Sequence, residues 1–359
     1  MRVLAVVVGV VLVLSVLADL VNTLVSTTTS RARWWLSNQV YVRSWRLVRR
    51  AGRAIGDEAR REALLARFAP ASLLMLLAVW VLQQVVGFGL IWWGLGGLDG
   101  ADGLFDSVYY SGVVFFTLGF GEVVPVEAVP RIGALVEAFS GVLTTALLIG
   151  YLPVLYGAYS ERERLLMTLD AGTEERIDPT TLLMARAPDG EASETFEFFE
   201  RWEAWIAGVL ETHTSFPMLV LFRSKHPGQN WVTALGLIAD AALQCQVIVG
   251  AQNRAPYWAL RRAIVLFEAL TADVDLTEYR RRLDEDYDEG SQFRTLHATL
   301  ADHGFDVLPL DEARAVTIEL RRKYDARLEY LIDRLEAPRG FWGHTIGHVA
   351  TSDRAPKLD

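Results

Sequence analysis

Between Asp106 and Glu122 lie fifteen uncharged residues, SVYYSGVVFFTLGFG. They are too apolar for a solvent loop and too few to cross a bilayer core of about 30 Å, which takes roughly 20 helical residues. Non-helical backbone is tolerated at membrane depth only where protein buries it or where it lines a water-filled cavity. The economical solution is a re-entrant hairpin over about residues 103–122, with a short helix entering and an extended segment leaving. Asp102 is placed to cap the helix start, and Asp106 in the first turn complements the helix dipole. The far end of such a helix points partial negative charge towards the membrane centre, where it favours a cation.

The extended part is Thr117-Leu118-Gly119-Phe120-Gly121. For carbonyls to point the same way along one strand, backbone handedness must alternate, and glycine accepts a positive φ without steric cost. Stacked rings of such carbonyls from several chains replace the hydration shell of a cation, and a threonine hydroxyl at the inner end adds one more ring.

Three apolar stretches can hold this segment in a bilayer. The first runs from Val3 to about Val25, the second from Phe68 to Leu98 with no charge in 31 positions, and the third from Ile132 to Ser160 with Glu137 as its one charge. Met1-Arg2 followed by an apolar run also resembles a signal peptide, but the run is long and no clear cleavage site follows, so a retained span is expected. Residues 26–67 hold ten arginines against three acids, whereas 99–131 hold five acids and only Arg131 as a base. The positive-inside rule puts 26–67 in the cytoplasm, the amino terminus outside and the tail inside, in a multi-pass protein of the cell membrane. Within the basic stretch Trp34, Tyr41, Trp45 and Val48 recur at helical spacing. They predict either a helix in the inner headgroup layer or a solvated linker.

Thr117-Leu118-Gly119-Phe120-Gly121-Glu122 resembles the T-V-G-Y-G-D signature of the tetrameric potassium-channel family, in its pore-domain form of outer helix, pore loop and inner helix. Pro125 and Arg131 fall where that family often has a proline and a base. Gly141, 22 residues after Gly119, falls on its inner-helix hinge, and Gly141-Val142-Leu143-Thr144-Thr145-Ala146-Leu147 is similar to its inner helices. The resemblance covers roughly residues 70–160. It implies a homotetramer among membrane lipids, with potassium as permeant ligand, no cofactor, and ion-binding carbonyls at Thr117, Leu118, Gly119, Phe120 and Gly121. Glu122, Tyr109, Tyr110 and Phe116 become filter support, and Gly141, Gly150 and Pro153 a gating hinge. Leu118 and Phe120 depart mildly from the family pattern. Phe120 lacks a tethering hydroxyl, Glu122 is one methylene longer than the usual Asp, and Phe116 stands below the filter where a small residue is usual. These departures bear on selectivity and conductance.

Glu137 reads in two ways, as a cation or pH site behind the filter or as a partner of Arg131 near the outer headgroups. Asp19, with Asn22 and Thr23, suggests a polar contact at the inner interface. Gly141 reads as a hinge, with close helix packing as the alternative. No span carries arginines at every third position, so a voltage sensor is not expected.

Residues 161–359 carry 23 bases and 34 acids, against 12 and 10 in residues 1–160. The tail therefore reads as soluble, and helical runs are expected around 193–213, 231–250, 256–272, 276–303 and 311–336. Trp231–Gly250 is apolar enough to mimic a fourth span, but Asp240, Gln244 and Gln246 favour a buried core helix. The tail joins the inner helix through Tyr159-Ser160-Glu161-Arg162-Glu163 without glycine or proline. No G-x-G-x-x-G follows a strand. His344 and His348 share helical spacing beside glycines, which is weak evidence for a metal. No nucleophile–base motif points to catalysis, and no motif names a ligand or protein partner of the tail. A pI near 5.3 disfavours nucleic acid. The single Cys245 excludes an internal disulfide.

The expected fold is therefore all-α: a first transmembrane helix at 1–25, a basic segment at 26–67, a pore domain at 68–160 and a helical cytoplasmic domain at 161–359. The expected function is passive potassium conduction. A weakly selective cation channel and a nonconducting membrane sensor or scaffold are the rivals.

Overall fold

The structure is a computed structural model and describes residues 1–24, 36–169, 178–224, 230–285 and 291–337. The chain forms two units, Met1–Ala158 and Tyr159–Asp359. In chain order the first unit holds α1 (Arg2–Leu24), α2 (Leu36–Arg53), α3 (Glu58–Leu95), β1 (Leu98–Asp99), α4 (Leu104–Phe115), β2 (Val124–Pro125) and most of α5 (Ala128–Leu166). Helices α1, α3 and α5 are long and apolar enough to cross a membrane. The protein is an all-α membrane protein with a mostly helical second unit.

Apolar helices in lipid gain nothing from leaving water, so close backbone approach and polar contacts hold them together. Helix α1 lies along α3 through small residues: a Cβ on Gly9 would stand 2.4 Å from the Gly87 carbonyl oxygen, and one on Gly94 2.6 Å from that of Arg2. The polar contacts are specific. Gln83 Nε2 donates to Ser15 Oγ at 2.7 Å. Asp19 is fully buried and accepts from Ser37 N at 2.9 Å, Ser37 Oγ at 2.8 Å and Trp80 Nε1 at 2.8 Å. One carboxylate thus joins α1 to the first turn of α2 and to α3. Between α3 and α5, Ser140 Oγ donates to Gln84 Oε1 at 2.6 Å, and Gln84 Nε2 donates to Thr144 Oγ1 at 2.9 Å.

Helix α2 forms in the basic stretch, with Arg43, Arg46 and Arg50 exposed. Its aromatic side packs at least in part on α3. Trp45 is buried with its ring 4.9 Å from Phe68 of α3. Trp34 lies outside the described residues. Pro70 and Pro153 stand inside α3 and α5, each removing one N–H from the helical ladder, and both helices continue through them.

The second unit holds the end of α5 and then α6 (Pro179–Arg186), α7 (Phe196–Ser215), α8 (Trp231–Gln244), α9 (Ala255–Leu270), α10 (Thr277–Glu285), α11 (Ser291–Asp302), α12 (Leu310–Arg321) and α13 (Asp325–Leu335). Every residue of α8 is buried, with α6, α9, α12 and α13 packed on it. The apolar run that could pass for a fourth span is the centre of this core. Its one carboxylate, Asp240, accepts from the Tyr324 hydroxyl and lies 3.8 Å from Arg321, so the buried charge is paired. One expected helical run is divided, residues 311–336 forming α12 and α13. The expected run 276–303 holds α10 and α11, and positions 286–290 lie outside the described residues. Helix α6 is short and carries no strong apolar period, so it was not expected. His344 and His348 lie outside the described residues.

The last turns of α5 insert Arg162 into this unit. Its guanidinium donates to Glu163 Oε1 at 2.8 Å, the Leu219 carbonyl at 3.0 Å and the Phe222 carbonyl at 2.7 Å. The rings of Tyr159 and Trp231 lie 5.3 and 5.2 Å away, within cation–π range. Nη1 also lies 3.1 Å from His213 Nε2. A guanidinium only donates, so Nε2 is the acceptor and the imidazole proton sits on Nδ1.

Candidate functional site

The re-entrant segment begins at Gly103. Asp106 accepts at one oxygen from the backbone N–H groups of Asp102, at 2.9 Å, and Gly103, at 3.1 Å. The carboxylate that neutralises the helix start is therefore Asp106. Asp102 contributes its backbone and not the expected side-chain cap.

Helix α4 ends in a specific reversal. Thr117 N donates to the Val114 carbonyl at 3.0 Å and Leu118 N to the Val113 carbonyl at 2.8 Å, with Thr117 at φ 56°. This pair of bonds is a Schellman motif, in which the residue after the C-cap takes the left-handed conformation. Glycine usually fills that place; here a threonine does. Beyond it Gly119 has φ 65° and Gly121 φ 89°, while Leu118 and Phe120 keep negative φ. Handedness thus alternates over five residues, from a helix cap at the inner end through two glycines. Leu118 and Phe120 are more than half exposed on the single chain, so their side chains leave the carbonyl line free of the chain's own packing.

Both ends of the segment are tied. Strand β1 pairs antiparallel with β2, Leu98 opposite Pro125 and Asp99 opposite Val124. Gly100, at φ 83°, approaches so closely that a Cβ would stand 2.3 Å from the Glu122 carbonyl oxygen. The Tyr109 hydroxyl of α4 donates to the Glu122 carboxylate, bracing the outer end of the extended run against the helix before it. Arg131 Nε donates to the Pro125 carbonyl at 3.2 Å, joining the two outer-loop residues singled out by the resemblance.

The contacts of three further residues bear on the readings left open for them. Tyr110 is buried and meets Trp92 of α3 edge-on at 5.8 Å, so it anchors α4 to the outer helix; only Tyr109 reaches across to the extended run. Glu137 does not pair with Arg131. It is fully buried, accepts from Trp92 Nε1 at 2.6 Å and meets the Ser111 hydroxyl. Gly141 is a close-packing position, because a Cβ there would stand 2.2 Å from the Phe115 carbonyl oxygen at the end of α4. By contrast nothing lies within 4 Å of a Cβ on Gly150. Phe116 is 55% exposed, with its ring 5.4 Å from that of Phe115. The partners Ser111 and Trp92 were not read from the sequence; a serine and an indole N–H in otherwise apolar helices were the available signal.

No curated protein and no solved structure matches the chain. Residues 75–155, which run from α3 through α4 and the alternating segment into α5, match a family model described as an ion channel.

Proposed function

We propose that four copies of this chain surround one axis and conduct potassium passively, with the carbonyls of Thr117, Leu118, Gly119, Phe120 and Gly121 forming the filter. The observation that carries this reading is the left-handed backbone at 117, 119 and 121 alternating with ordinary backbone at 118 and 120. Such alternation turns successive carbonyls to one side, and four such strands give a potassium ion stacked oxygen rings in place of water. The pinning of Gly141 leaves Gly150 and Pro153 as the positions where the inner helix bends. In this reading the amino terminus is outside and the second unit is cytoplasmic.

Gly119→Ala tests the reading in liposomes loaded with potassium. The alanine methyl disfavours φ 65°, so potassium flux is expected to vanish while the assembled protein keeps its size. Selective flux retained in this variant overturns the filter assignment. Wild-type flux with equal sodium and potassium permeability moves the reading to a weakly selective channel, and no wild-type flux moves it to a nonconducting scaffold.

A further inference from the structure

Carbonyl alignment does not use the polar groups buried behind α4. Glu137 of α5 is fully buried. One carboxyl oxygen accepts from Trp92 Nε1 of α3 at 2.6 Å, and the other meets Ser111 Oγ of α4. Ser111 Oγ also stands 2.8 Å from the Val85 carbonyl oxygen of α3. A serine hydroxyl has one proton to give, and a backbone carbonyl has none. If Glu137 is ionised, Ser111 faces two acceptors with a single proton, and one oxygen–oxygen contact holds no hydrogen. If Glu137 carries a proton, every contact is served: the carboxyl O–H donates to Ser111, Ser111 donates to Val85, and Trp92 donates to the remaining carboxyl oxygen.

The surroundings agree. Among the described residues no Lys or Arg forms an ion pair with Glu137, and Arg131 is occupied at Pro125. From α4 the titratable neighbour is the Tyr110 phenol. The polar side chains one turn and two turns along α5, Ser140 and Thr144, are neutral and bonded to Gln84 of α3. A buried charge without a counter-ion is costly, whereas a buried acid with its hydrogen bonds complete is not.

We propose that Glu137 is held as the neutral carboxylic acid and, through Ser111, sets the position of α4 relative to α3 and α5. Glu137 is then a positioning residue for the segment that follows α4. The positioning role rests on the conduction reading above; the protonation state does not.

The test uses the full-length protein reconstituted in liposomes. Infrared spectra of wild type and Glu137→Gln are compared, and a neutral-acid carbonyl band present in wild type is expected to be missing in the variant. Identical spectra in that region overturn the neutral acid, whether or not the protein conducts. The ratio of potassium to sodium permeability reads the positioning role. Glu137→Gln keeps a donor for Ser111 and an acceptor for Trp92, so its ratio is expected to stay near wild type. Glu137→Ala is expected to lower the ratio by about tenfold, the loss of roughly one buried hydrogen-bonded link. An unchanged ratio in Glu137→Ala overturns the positioning role. If that variant does not assemble, Ser111→Ala cuts the same link at lower cost and is read in the same way. Wild-type protein that conducts nothing removes the positioning role together with the conduction reading, and the infrared comparison still decides the protonation state.

Discussion

His213 shows how one side chain's setting becomes a measurable property. It is buried against the Arg162 guanidinium, and burial first, then the adjacent positive charge, holds it well below the ordinary histidine value. Above about pH 6.5 folded and unfolded chains both keep it neutral, so it adds no pH dependence. As pH falls below that value, the unfolded chain takes up a proton that the folded chain refuses, and stability drops. The thermal midpoint of the second unit is therefore expected to fall as pH is lowered from about 7.5 to 5.5. His213→Gln, which keeps an acceptor for Arg162, is expected to flatten that fall; an unchanged slope would show that His213 does not set it. Burial likewise pushes the Cys245 thiol up to about 12, which leaves it unreactive at neutral pH. The two glycines of the extended run were legible because their spacing is itself the signal. The setting of Glu137 was not, because its partners lie 26 and 45 residues away and nothing local announces them.

Among elements, α5 separates two uses of glycine that look alike in sequence. Gly141→Ala drives a methyl against the Phe115 carbonyl, and overpacking of this kind costs about 1–3 kcal/mol. Gly150→Ala meets open space and gains up to about 1 kcal/mol of helix propensity. Thermal unfolding of the detergent-solubilised protein is expected to show a lower midpoint for Gly141→Ala and an equal or higher one for Gly150→Ala. A Gly141→Ala protein as stable as wild type would return position 141 to the hinge. The three spans were legible from hydropathy, and the re-entrant helix from an uncharged run too short to span. Spacing alone could not tell hinge from contact at Gly141, because that distinction depends on where the end of α4 comes to lie. The break between α12 and α13 was hidden because Arg321–Asp325 keeps the polar pattern of a continuous helix while its side chains pair within the fold.

The whole molecule divides at Ala158 and Tyr159, inside a helix and not in a loop, so the second unit begins with residues that look like the end of a span. A fragment of residues 159–359 is expected to unfold cooperatively in urea. A fragment starting at residue 168 lacks Arg162 and Leu166, both buried in this unit, and leaves the Leu219 and Phe222 carbonyls without their donor. It also loses buried Tyr159 and the Arg162 carbonyl that accepts from Trp205 Nε1, and it is expected to be weaker by about 5 kcal/mol or more, from three unsatisfied polar groups and two lost apolar side chains. Equal midpoints would show that the helix end contributes nothing to the fold. At the opposite end of the chain, Asp19 has a consequence for biosynthesis. Its three hydrogen bonds come from Ser37 and Trp80, residues the ribosome makes 18 and 61 positions later. A nascent chain holding only its first helix carries a membrane-embedded carboxylate with none of these donors, and it stays short of one until Trp80 arrives. Stable integration of the amino-terminal helix is therefore expected to need the later helix, and Trp80→Phe is expected to lower the share of chains whose first helix is inserted in a cell-free translation with membranes.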